Sequence, residues 1–109
     1  MTKKSNLFVF RRYNKKEGSL SKKVRHPKLI VDDYKNNYGF MGLTESSKKG
    51  HHSNIPIQNP KKFDKSKSYI RKEIRYDNKN NFGDVLSNYN LSKKDKKYLI
   101  DYVNKHKKR

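Results

Sequence analysis

The chain has no cysteine, and its ten acidic residues face twenty-nine lysines and arginines. The first absence excludes disulfide staples, thiolate metal sites and a cysteine nucleophile together. The second leaves a net charge of +19 on 109 residues, which favours an anionic partner. Nucleic acid is the leading candidate because it offers a dense, regular array of phosphates. Apolar residues are also scarce, at 30%. Such a chain can build one small domain with a thin core, which excludes a large enzyme with its own cofactor-binding domain. The composition borders on that of disordered chains, but eight Tyr and five Phe enlarge the surface that can be buried. No apolar run approaches the length of a membrane span, and Asn6–Phe10 is too short for the apolar region of a signal peptide. The expectation is a soluble, cytoplasmic protein that needs no membrane. P-loop, dinucleotide fingerprint and nucleophile elbow are all missing, and no cofactor is expected.

What is present is unevenly placed. Residues 1–28 hold ten basic side chains and one acidic, 29–60 three of each, and 61–109 sixteen against six. A neutral centre between basic flanks reads as core strands that carry basic loops. The expected organisation is a basic tail over 1–5, one domain over 6–105 and a basic tail over 106–109. Leu7–Phe10 is a compact apolar run with aromatic enrichment and reads as a strand. Arg11–Val24 has no periodicity and reads as a long loop. Leu29–Val31 is a second strand entered after Pro27, and Asp32–Asn37 is turn chemistry. Tyr38–Leu43 is a third strand, Ser46–Ser53 a polar loop, and Asn54–Gln58 an edge strand interrupted by Pro56. Asn59–Lys67 reads as loop. Ser68–Arg75 alternates, with Tyr69 and Arg71 facing one way and Ile70 and Lys72 the other. Ser92 with Asp95 three residues later starts a helix, along which Tyr98, Leu99, Tyr102 and Val103 recur at helical spacing. So few strands escape the edge problem by curling, so the expected fold is mainly β, a curled sheet with a C-terminal α-helix.

Read in order, the motifs resemble the MazF/PemK-like toxin endoribonucleases, also called mRNA interferases. The strand Asn6–Phe10 is followed by a polar loop containing Glu17-Gly18-Ser19. Val24-Arg25-His26-Pro27-Lys28-Leu29-Ile30-Val31 resembles that family's V-R-P-x-L-V segment, with His26 inserted before the proline. Gly42-Leu43-Thr44-Glu45-Ser46 resembles the strand end P-I-T-S, and Ser68–Arg75 the strand that precedes Q-I-R. The family's opening R-G-D has no counterpart. The resemblance implies a small SH3-like barrel, a homodimer, and metal-free cleavage of single-stranded RNA. It also implies an acidic antitoxin that would occupy the basic groove.

Metal-free cleavage uses the neighbouring 2′-hydroxyl as nucleophile. It needs a base for that proton, an acid for the leaving 5′-oxygen, and donors for the phosphorane. Arginine stays protonated, so Arg25 and Arg71 are candidates for charge stabilisation. His26 and Glu73 are the candidates for proton transfer, and Thr44 or Ser46 for a short hydroxyl contact. On a continuous strand Arg71 and Glu73 would share one face. The plainer alternatives are a surface ion pair for Arg71 and Glu73, a loop residue for His26 and a β-branched strand end for Thr44. Arg11, Arg12, Lys22, Lys23, Lys48, Lys49 and Arg75 are candidates for gripping the phosphate backbone. Tyr69, Tyr98 and Tyr102 read as core, whereas Tyr13, Tyr34 and Tyr76 lie among polar residues, where they could stack on unpaired bases. His51-His52 makes no metal site, since adjacent extended residues point oppositely and no further ligands stand nearby. The alternative function is a non-catalytic basic barrel that binds RNA or DNA in a phage or mobile element. A third is a protein that occupies a nucleic-acid-binding partner.

Overall fold

The computed structural model describes residues 7–14, 27–49, 52–61 and 67–107. The tail over 1–5, the Glu17-Gly18-Ser19 loop, Lys22, Lys23, Arg25, His26 and His51 lie outside them. Among the described residues nine strands, with one 3-10 turn over Lys79–Asn81 before the last of them, precede one α-helix. They are β1 (Val9–Tyr13), β2 (Lys28–Tyr34), β3 (Asn37–Thr44), β4 (Lys48–Lys49), β5 (His52–Ser53), β6 (Ile55–Ile57), β7 (Ser68–Ile70), β8 (Arg75–Asn78) and β9 (Phe82–Val85). Helix α1 spans Lys93–His106. The expected mainly β fold with a C-terminal helix is what the chain adopts.

The main sheet is antiparallel in the order β6-β7-β3-β2-β1-β9, and β8 also pairs with β3. As expected, the proline-containing β6 lies at one end. The end strands β6 and β9 do not pair with each other. The segments that follow them meet instead: Asn90 donates its N–H to the Pro60 carbonyl, and Lys61 bridges Tyr89. The concave face buries Phe10, Leu29, Val31, Met41, Leu43, Ile55 and Ile70, and α1 covers them with Leu99 and Val103.

Several boundaries differ from the sequence reading. The first strand begins at Val9, because Phe8 takes a left-handed φ of 59° and breaks the extension, and it runs on through Arg11 and Arg12 to Tyr13. Asp32 and Asp33 belong to β2 and not to a turn. The turn proper is Lys35-Asn36, with Lys35 at φ 56°. The polar segment 46–53 contains the small β4–β5 ladder.

The Ser68–Arg75 strand is interrupted. From Leu43 back to Phe40 β3 advances three residues, while the partner chain advances five, from Ile70 to Arg75. The two surplus residues are pushed out over 71–74, and Ile74 is partly buried against the core. Arg71 and Glu73 are therefore not neighbours on one strand face. A bulge in β2 has a similar effect. Ile30 pairs with Phe40 and Asp32 with Gly39, which leaves Val31 unopposed and turns both Val31 and Asp32 inward.

Asp32 is buried at the rim of the core and is held by Tyr76, whose hydroxyl donates to its Oδ2 at 2.6 Å. Lys107, just past α1, lies 3.8 Å from its Oδ1. The Tyr76 ring reaches Asp32 across Gly39, where an added Cβ would come within 2.8 Å of both Asp32 Cβ and Tyr76 Cε2. Glycine is required there.

Candidate nucleic-acid interface

Strand alternation sends Val9, Arg11 and Tyr13 of β1, Lys28 and Ile30 of β2, and Tyr38 and Phe40 of β3 to the convex face. Phe82 of β9 joins them, and the rings pack edge to tilted. Tyr13 lies 5.0 Å from Phe82 and 5.4 Å from Phe40, and Tyr38 is 5.4 Å from Phe82. These rings form a second small core.

Cations lie over its rim. The Arg11 guanidinium and the Lys79 ammonium each sit 5.2 Å from the Tyr38 centroid, and the Arg75 guanidinium sits 5.3 Å from that of Phe40. Lys28 places its ammonium 5.3 Å from the Tyr13 ring although its residue is only 3% exposed. Each such pairing contributes about 0.5–1 kcal/mol where solvent reaches it. Their larger effect is to hold several positive charges on one face. Arg11 is fixed further by Nη1, which donates to the Gly83 carbonyl at 2.9 Å. Two carboxylates moderate the charge. Asp33 pairs with Lys79 at 2.6 Å, and Asp77 accepts from the Tyr13 hydroxyl at 2.6 Å and from Asn81 Nδ2.

One corner of this face stands out. Lys28 and Gly42 are register partners, and Arg71 donates its backbone N–H to the Gly42 carbonyl at 2.9 Å. A Cβ on Gly42 would lie 3.3 Å from Arg71 Cδ and 3.6 Å from Lys28 Nζ. The two cationic side chains thus converge over bare backbone. Thr44, two residues further along β3 and on the same face, is buried, and its Oγ1 accepts from the Ser46 N–H at 3.1 Å. Pro27, the first described residue after His26, accepts from the Leu43 N–H at this end of β3.

The expected site residues therefore divide. Thr44 and Arg71 are brought to one corner, and Arg11 and Arg75 flank it on the same face. Ser46 is exposed, and its carbonyl accepts from Asn54 Nδ2. Glu73 is exposed in the pushed-out 71–74 segment, Arg12 is exposed on β1, and Lys48 is exposed on β4; Lys49 lies on β4 by its backbone. Lys28 and Lys79 join this face without being among the candidates from the sequence. The signal for Lys28 was available, since K-L-I-V at the start of a strand puts the lysine on the same side as Ile30. That for Lys79 was not, because its place depends on how β8 pairs.

Tyr13, expected to be open for base stacking, is 3% exposed in the convex cluster, and Tyr98, expected in the core, is 55% exposed. Among the described residues no three His, Asp or Glu side chains gather to hold a metal ion, and no helix is long and apolar enough to cross a membrane. No family model, curated protein or solved structure matches the chain.

Proposed function

We propose that the protein binds single-stranded RNA across the convex face and cleaves it, without a metal, at the Lys28–Arg71–Thr44 corner. The observation that carries this reading is the convergence of Lys28 and Arg71 over the side-chain-free Gly42. The space a Gly42 side chain would fill is taken by the Arg71 and Lys28 side chains, which sets two cations together on the face that carries the buried Thr44, with half-buried Arg71 the one a phosphodiester meets first. The resemblance to MazF/PemK-like endoribonucleases supports the same end of β3 through the Thr44 motif. In the reaction the 2′-oxygen attacks phosphorus and gives its proton to a base. The P–O5′ bond breaks, and the 5′-oxygen takes a proton from an acid. Lys28 and Arg71 offset the extra charge on the phosphorane. His26 and Glu73 are the candidates for the two proton transfers. The same reading implies a homodimer acting in the cytoplasm and an acidic antitoxin segment that competes with RNA for these cations.

The test is to incubate purified protein and excess chelator with long single-stranded RNAs of mixed sequence. Fragments ending in a 2′,3′-cyclic phosphate or its 3′-phosphate product are expected. Arg71→Ala should lower the rate by about 10²-fold, as loss of a phosphorane donor does, with the melting temperature unchanged. Intact RNA across many sequences would sink the enzyme reading. It would favour a second reading, non-catalytic RNA binding, which two observations already support: the Thr44 oxygen is engaged by the Ser46 amide, and Glu73 is exposed outside the strand. That reading expects salt-sensitive binding unaffected by Thr44→Ala.

A further inference from the structure

Among the described residues the convex face has charge but no open platform for bases, because Tyr13, Phe40 and Phe82 are buried in its cluster and the Tyr38 ring is covered by Arg11 and Lys79. Stacking on aromatic rings is the sequence-tolerant half of single-strand recognition, and phosphate contacts are the other. Among the described residues the large hydrophobic side chains that remain exposed are Tyr34, Tyr76, Val85 and Tyr98. Tyr76 is tied to Asp32 by its hydroxyl, and Tyr34 carries the Lys35 ammonium 5.2 Å from its centroid. Tyr98 is the most open of the four.

Its position is not incidental. On α1 it stands one turn before Tyr102 and two before His106, so the three lie along one side of the helix. Tyr102 and His106 stack with centroids 4.2 Å apart and planes 29° from parallel. The Tyr102 hydroxyl donates to the Lys72 carbonyl at 3.0 Å. This bond joins the aromatic stripe directly to the segment that begins at Arg71. Exposed Lys94 lies one turn before Tyr98 and exposed Lys105 one turn past Asp101 on the same side of the helix; of the two acids beside Tyr98, Asp95 is engaged by the Gln58 N–H and Asp101 is exposed, and exposed Lys72 lies at the far end of the Tyr102 hydrogen bond.

We propose that the Tyr98–Tyr102–His106 stripe of α1 is a second contact for single-stranded RNA, continuing the strand's path from the Arg71 corner over the 71–74 segment. Tyr98 stacks on a base, and the flanking lysines hold the adjoining phosphates. This rests on the reading of the convex face as an RNA interface. It adds that the footprint runs around the edge of the sheet onto the helix, so that long strands bind more tightly than short ones.

The chain has no tryptophan, so Tyr98→Trp introduces a single reporter at the site. The experiment titrates Tyr98→Trp, Tyr98→Ala, Tyr98→Phe and wild-type protein with labelled uridine-rich RNAs of about 4 and about 16 nucleotides. Anisotropy reports binding and tryptophan emission reports stacking. Quenching by the long RNA and not the short one is expected. Tyr98→Ala should weaken the long RNA roughly tenfold, leave the short one unchanged, and melt as wild type does. Tyr98→Phe should bind as wild type, since the ring and not the hydroxyl makes the contact. If wild type binds both RNAs while Tyr98→Trp is not quenched and Tyr98→Ala matches wild type, the helix contact is overturned and the convex interface stands. If wild type binds neither RNA at low salt, both readings fall. If Tyr98→Ala changes sedimentation but not RNA affinity, the stripe is a self-association surface and the proposal is overturned.

Discussion

Gly39 is where one missing methyl decides most. With no side chain there, the Tyr76 ring crosses β3 to the buried Asp32 carboxylate. Gly39→Ala puts a Cβ 2.8 Å from Asp32 Cβ, which is backbone-anchored and cannot swing away. A destabilisation of about 1–3 kcal/mol is expected from such overpacking, read as a lower urea midpoint. Tyr76→Phe keeps the ring and removes a donor to a buried carboxylate, a loss of about 1–3 kcal/mol. Gly42 is the contrasting case. A Cβ there meets the movable side chains of Arg71 and Lys28 at 3.3 and 3.6 Å. Gly42→Ala should therefore fold nearly as wild type and lose RNA affinity or cleavage, because it displaces the converged cations.

Among the elements, α1 is the most legible and the most informative. Ser92 accepts from the Asp95 N–H at 3.1 Å, as the S-x-x-D spacing predicts. Asp95 does not return the bond to Ser92; its carboxylate accepts from the Gln58 N–H at 2.8 Å and ties the helix start to the segment after β6. Ser92→Ala should cost about 1 kcal/mol in chemical denaturation. Further along, burial and the neighbouring Tyr98 hold the Tyr102 phenol above its ordinary pKa of 10.0. The folded state thus keeps this proton longer than the unfolded one. The phenol's contribution to stability is complete below pH 10 and is lost as pH rises through its raised value. The stability difference between wild type and Tyr102→Phe should therefore shrink above pH 10, a comparison that cancels the titration of the lysines. For the strands, β7 and β8 show the limit of pattern reading. The alternation over Ser68–Arg75 is real, but β3 offers two fewer residues than the strand would need to continue.

For the molecule as a whole, a charge of +19 opposes compaction, and two small cores on opposite faces of one sheet offset it. The concave core is closed by α1, and the convex one serves as a base for Arg11, Lys28, Arg75 and Lys79. Binding through such a face is driven by counterion release, so affinity for single-stranded RNA should fall linearly on a log–log plot against salt. Removing one phosphate-gripping side chain, as in Arg75→Ala, should reduce that slope by about 0.7. A slope unchanged by Arg75→Ala would remove this residue from the interface.

The sequence by itself determined the class of the fold, the presence and cap of the helix, and the large excess of positive charge. These depend on local patterning, capping chemistry and net charge, which do not change with the arrangement of the chain. Thr44 and Arg71 were legible as candidates through local motifs. The convergence of Arg71 with Lys28 was not, because it follows from the register of β2 on β3 and of β7 on β3. Tertiary structure alone decided that Tyr13 is buried and Tyr98 exposed, against a local pattern that sets Tyr13 among polar residues and Tyr98 on the apolar stripe of the helix. It also decided that the 71–74 segment leaves the sheet and separates Arg71 from Glu73. Register and burial depend on which strands meet, and that is settled by partners distant in the chain.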